Sequence, residues 1–143
     1  MAIWQIDFMI VPSKNATMDA NLEDFFLWNN ELLEDFKRNI KKSWSPEESW
    51  SKNIEQYGKL DETCMELMGD EKNMVEISVR LDLRSLSKAE LKFILSETKA
   101  IDGIIFYNEQ VYEADLAIAL DLLRNSPAAQ FCENPKEFFK NLD

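Results

Sequence analysis

Residues 76–84, EISVRLDLR, carry an apolar side chain at every second position. In an extended chain successive side chains point to opposite faces of the sheet. Ile77, Val79, Leu81 and Leu83 therefore share one face, and Glu76, Ser78, Arg80, Asp82 and Arg84 share the other. A strand with this pattern belongs in a sheet with one dry face and one polar face, which points to an α+β arrangement with an antiparallel sheet. It also raises a functional question, whether the polar face is a working surface or only a wet one.

A second strand is read at the N-terminus, where Trp4, Ile6, Phe8 and Ile10 alternate with Gln5, Asp7 and Met9 and Pro12 closes the run. This stretch is apolar enough to suggest a leader, but it has no basic start and carries Gln5 and Asp7, so it reads as a strand. From Asp19 or Asn21 as cap, Leu22, Phe25, Phe26, Leu33, Phe36 and Ile40 recur at three- and four-residue spacing, which predicts one long amphipathic helix. Ser45, Pro46 and Glu48 then stand where a helix start wants them, and with Trp50, Ile54 and Tyr57 they predict a short second helix ending near Gly58.

Gly69, Asp70 and Asn73 supply turn chemistry before the strand 76–84, so residues 63–83 read as a hairpin. Ser87 and Glu90 form a capping-box pattern ahead of Leu91, Ile94, Leu95 and Ile101, a further helix ended by Asp102-Gly103. Residues 104–107 read as a brief strand. Residues 113–126 read as a helix stopped by Pro127, and the final NPKEFFKNL as a helical turn or two anchored by Phe138 or Phe139.

The order strand, helix, strand, strand, helix, strand is that of the split βαβ, or ferredoxin-like, motif, here with an additional helix and a C-terminal helical extension. The 143 residues are about one domain's worth, so residues 1–143 are read as a single α+β domain. Right-handed crossovers place both main helices on one sheet face. With the first strand beside strand 75–83, Gln5 and Asp7 line up with Arg80 and Asp82 on the polar face, and Asp7 can pair with Arg80 across the strands.

Composition narrows the chemistry. There are 27 acidic and 16 basic residues, a net charge of −11, and no histidine. The negative field repels phosphate backbones and anionic headgroups, so neither nucleic acid nor membrane is expected as a partner, whereas a basic protein surface would be attracted. The usual general base and His-containing triads are unavailable to the chain, three glycines leave little for a phosphate-cradling loop, and no catalytic residue is assigned. Cys64 and Cys132 lie far apart and outside any CxxC spacing. They read as reduced thiols rather than metal ligands or a disulfide, so no metal or cofactor is expected and the compartment expected is the cytoplasm.

Trp44 and Trp50 flank an acidic, serine-rich connector, where aromatics can anchor an interface or fold back over the core edge. Leu27 and Phe93 fall opposite the buried stripes of their predicted helices, and Phe93 can meet the C-terminal helix. The segments WQIDFMIVP, SWS, EISVRLDLR and NSPAAQFCENPKEFF together resemble a loose family of small, functionally uncharacterised bacterial proteins. The resemblance implies a bacterial cytosolic setting, and size and charge add an analogy to immunity proteins.

Three functional readings follow. The first is a non-catalytic protein-interaction module, an acidic inhibitor or immunity-like protein for a basic partner. The second is a small-ligand-binding domain using the polar sheet face, and the third a carboxylate-dependent enzyme. The candidate binding residues are Gln5, Asp7, Arg80, Asp82, Trp44 and Trp50.

Overall fold

A computed structural model of the chain describes residues 2–13, 27–71 and 74–132. In chain order it has a strand Gln5–Pro12 (β1), a helix Asn30–Ser43 (α1), strands Pro46–Glu47 (β2), Ile54–Tyr57 (β3), Cys64–Glu71 (β4) and Met74–Asp82 (β5), and a helix Lys88–Ala100 (α2). Strands Gly103–Tyr107 (β6) and Gln110–Tyr112 (β7) follow, then helices Leu116–Arg124 (α3) and Pro127–Phe131 (α4). The strands form one antiparallel sheet in the order β2-β3-β4-β5-β1-β6-β7, so the fold is α+β.

The alternation in β5 fixes which face is dry. Ile77, Val79 and Leu81 are about 1% exposed or less, and a paired row of Leu67, Ile77, Ile10 and Ile105 crosses four strands beneath the helices. Onto this face α1 presents Leu33, Phe36 and Ile40, α2 presents Leu91, Ile94 and Leu95, and α3 presents Ala119, Leu120 and Leu123. These are the three- and four-residue spacings of one helical side, and each large side chain so buried contributes about 1.5–3 kcal/mol. Helices α1 and α2 touch, with the Asn39 amide donating to Glu97 Oε2 at 3.1 Å.

Helix α2 begins as the sequence indicates. The Ser87 hydroxyl accepts from the Glu90 amide, and the Glu90 carboxylate accepts from the Ser87 backbone. Its last residue is Ala100; the chain then turns at Asp102, in a positive-φ conformation, and enters β6 at Gly103, where a Cβ would stand 2.9 Å from Ile10 Cγ2. Both β1 and the β4–β5 hairpin form as expected, while the turn residues 72–73 and the C-terminal run 133–143 lie outside the described residues.

Four expectations are corrected. The first helix does not run continuously from Asp19 or Asn21, although residues 14–26 lie outside those described. Trp28 precedes the helix, Asn29 caps it by accepting from the Leu32 amide, and the buried Trp28 indole donates to Val75 O at 2.8 Å. No helix follows Ser45. Residues 46–47 and 54–57 are strands, because 54–57 satisfies its backbone groups on the otherwise open edge of β4 and 46–47 pairs in turn with 54–57. Beyond β6 an additional strand, β7, closes a hairpin through Asn108 and Glu109, both at positive φ. Pro127 begins α4 rather than ending a helix: α3 stops at Asn125, and Ser126 caps the next turn.

Candidate functional site

On the polar side of the sheet, paired residues Gln56, Glu66, Ser78, Met9, Phe106 and Val111 form one continuous row from β3 to β7. Cross-strand partners share a face, so charge is concentrated at the β3–β5 end and apolar character at the β6–β7 end.

Gln5 and Asp82 are register partners at the rim of this face, and both are buried. The Gln5 side-chain amide donates to Leu60 O and Glu62 O, each at 2.9 Å, and its Oε1 accepts from the Ala2 amide at 3.1 Å. Asp82 accepts from Arg84 Nε and its terminal nitrogen at 3.0 and 2.9 Å, as well as from the Arg84 backbone amide. The Arg84 guanidinium also lies 3.8 Å from the centre of the Trp4 ring. Hydrogen bonding to Asp82 holds the Arg84 guanidinium even more firmly protonated than usual. The Asp82 amide donates to Thr63 Oγ1 at 3.0 Å. Gln5, Asp82 and Arg84 thus bind the 58–63 connector and the N-terminal Trp4 to the sheet.

Asp7 and Arg80 are also register partners, but the ion pair that Arg80 makes is with Glu66, at 3.7 Å, and one guanidinium nitrogen donates to Leu60 O at 3.4 Å. The expected Asp7–Arg80 pair is corrected accordingly: Glu66, on the strand beyond, has only 9% of its side chain exposed, and a buried carboxylate competes better for a cation than the solvated Asp7. Asp7 is exposed and raises the Tyr107 hydroxyl pKa, second to burial. Cys64 pairs with Arg80 in the register and is buried, which pushes its thiol up to about 11 and keeps it protonated at neutral pH. Cys132 is half-buried, and its thiol is raised by burial and then by the Asp82 charge.

The two tryptophans separate. Trp44 packs edge-to-face on Phe93, with ring centres 5.6 Å apart, so Phe93 meets the end of α1. Trp50 is 72% exposed, in the loop between β2 and β3. That loop is tied by Ser49 and Ser51: the Ser49 hydroxyl donates to Ser51 O, the Ser51 amide donates back to Ser49 Oγ, and the Asn53 amide donates to Ser51 Oγ. Glu47 and Glu48 beside it are exposed.

Two cavities lie elsewhere. An apolar pocket of about 20 Å3, lined by Phe8, Leu81, Leu91, Leu95, Ile105 and Leu123, has room for roughly a single water and turns only apolar surface toward it. An open cleft of about 200 Å3 beside α1 is lined by Lys37, Lys52, Asn53 and Glu55 over Leu67 and Val75. Lys37 is paired there with Glu55 at 3.4 Å and Glu34 at 3.8 Å, and Glu55 accepts from the Tyr57 hydroxyl at 2.8 Å. Burial and that bond raise the Tyr57 pKa well above its usual value. Neither cavity includes Asp7, Arg80 or Asp82. Among the described residues, no group of three or more Cys, Asp or Glu is disposed to hold a metal ion, and no helix is long and apolar enough to cross a membrane.

The structure thus brings Gln5 with Asp82 and Asp7 with Arg80 onto one face, and places Trp44 and Trp50 apart from them. Glu66 and Arg84 were not among the sequence candidates. Alternation through Cys64, Glu66 and Met68 was a signal for the first; alternation also put Arg84 on the face of Asp82, whereas its contact with Trp4 had no signal. Comparison with family models, curated proteins and solved structures finds no match for the chain.

Proposed function

We propose that the chain is a non-catalytic protein-interaction module, an acidic inhibitor or immunity-like protein that docks a basic partner protein through the β2–β3 loop. The observation that carries this reading is Trp50, 72% exposed beside the exposed Glu47 and Glu48 on a loop held by its own serine hydrogen bonds. A large amphipathic ring on a pre-ordered loop loses little conformational entropy on binding, and tryptophan is the side chain most enriched among residues that dominate interface energy. The excess of 27 acidic over 16 basic residues would steer a basic surface toward it.

The central strand order β4-β5-β1-β6, with α1 and α2 within its crossovers, supports a split βαβ core to which β2, β3 and β7 are added at the edges. Free thiols at Cys64 and Cys132 fit a reducing compartment, the cytoplasm. The polar sheet face offers less to a small ligand, because Gln5 and Asp82 are engaged within the fold.

The test is capture on the immobilised chain from a native lysate at low and moderate salt, with Trp50→Ala in parallel. We expect a basic protein whose retention falls with salt and whose affinity drops by about 2 kcal/mol or more in the variant, the scale of an interface anchor. Equal retention by Trp50→Ala would remove the loop from the interface.

A further inference from the structure

The two edges of the sheet are unlike. At one, β2 is two residues long and begins with Pro46, which has no N–H to offer an added strand. At the other, β7 follows a two-residue turn with both central residues at positive φ, so Tyr107 and Gln110 close the hairpin as a hydrogen-bonded pair. Pairs alternate in an antiparallel ladder, hence Phe106 and Val111 form the open pair, and the Val111 N–H and C=O point away from the sheet. They have no hydrogen-bond partner among the described residues. The Val111 side chain is 42% exposed and ends the apolar stretch Met9, Phe106, Val111 of the polar-face row. Glu109 and Glu113, both exposed, stand two positions to either side.

We propose that β7 is a strand-addition site for an extended segment of a partner protein that carries an apolar residue opposite Val111 and Lys or Arg two places to each side. Outward main-chain groups supply the docking bonds, the row ending at Val111 supplies an apolar seat, and the two glutamates select the flanking charge. A second copy of this chain is the wrong occupant: antiparallel pairing of β7 with itself about Val111 brings the turn residue Glu109 of each copy toward Glu113 of the other, two encounters of like charge that are destabilising. The inference deepens the reading of an acidic protein-binding module, but it assigns a surface at the opposite edge of the sheet from Trp50.

The test is titration of the isotope-labelled full chain with the peptide acetyl-Lys-Thr-Val-Thr-Lys-amide and with its counterpart flanked by glutamates, followed by amide chemical shifts. Shifts confined to Gln110–Glu113 and the adjoining β6, with the basic peptide alone, are the expected result. Val111→Pro removes one outward N–H and no ladder bond, so it should leave the remaining spectrum native and weaken the peptide by about tenfold or more. The double change Glu109→Lys, Glu113→Lys should reverse the preference to the acidic peptide, and it decides the matter should the proline variant unfold. Shifts centred on the Trp50 loop, equal response to both peptides, unchanged preference in the charge-reversed chain, or self-association lost in Val111→Pro would each overturn the proposal. Loss of partner capture in Trp50→Ala is read separately, so that reading can stand while this one fails, and the reverse.

Discussion

Glu66 and Arg80 show how far a single side chain on the polar face is committed to the fold. Glu66 has 9% of its side chain exposed and Arg80 27%, and they meet at 3.7 Å. A pair this sheltered is neither a free surface bridge, worth a few tenths of a kcal/mol, nor a fully dry one, whose rupture costs about 3–5 kcal/mol. We expect Arg80→Ala to lower stability by about 1–3 kcal/mol through the stranded Glu66 carboxylate, and Glu66→Gln in the same background to restore part of the loss. Urea midpoints of the two single variants and the double variant measure this. A loss under about 0.5 kcal/mol in Arg80→Ala would show the pair to be solvated. Partner capture should be unchanged, since Trp50 and Val111 both lie away from this pair on the sheet.

At the scale of elements, the 58–63 connector is held by backbone geometry at its first residue. Gly58 sits at φ +84, and a Cβ there would stand 2.8 Å from Thr63 O. Gly58→Ala combines left-handed strain of about 1–2 kcal/mol with a clash against main chain that carries the Gln5 and Asp82 bonds, so we expect a loss of about 2–4 kcal/mol in a denaturation experiment. A loss near zero would mean the connector relaxes freely. The same region shows where sequence reading succeeds and stops. Alternation located β1 and β5, and capping located α2, because these signals are local and agree with the burial that tertiary packing demands. Residues 45–57 misled because Ser45, Pro46 and Glu48 satisfy the local rule for a helix start, while the open edge of β4, outside the three- and four-residue window of that rule, decides the outcome. Likewise Gln5 and Asp82 were legible as residues of one face, but their burial depends on the connector folding over the rim, which no periodicity encodes.

For the molecule as a whole, the distribution of charge matters more than its sum. Net charge of −11 alone does not exclude a local basic patch, and Lys37, Arg38, Lys41 and Lys42 cluster in the second half of α1. The structure dilutes that cluster. Lys37 is paired with Glu34 and Glu55 and Arg38 with Asp35 at 2.7 Å, while Lys42 donates only to the neutral Asn39 amide and keeps its charge, so among the described residues this cluster offers little beyond Lys41 and Lys42 to displace counterions from a polyanion. Nucleic-acid affinity depends on the number of phosphates neutralised, with log K falling by about 0.9 per phosphate contact for each decade of salt. One or two available lysines in a repulsive field give no stable complex at physiological ionic strength, where the Debye length is about 8 Å. We therefore expect neither duplex DNA nor phosphatidylserine vesicles to bind the chain at that salt, by fluorescence anisotropy and by vesicle co-sedimentation. The expectation fails on saturable binding to either that survives physiological salt. Such a result would turn the end of α1, rather than the Trp50 loop or the β7 edge, into the surface that meets a partner, and the partner into a polyanion instead of a basic protein.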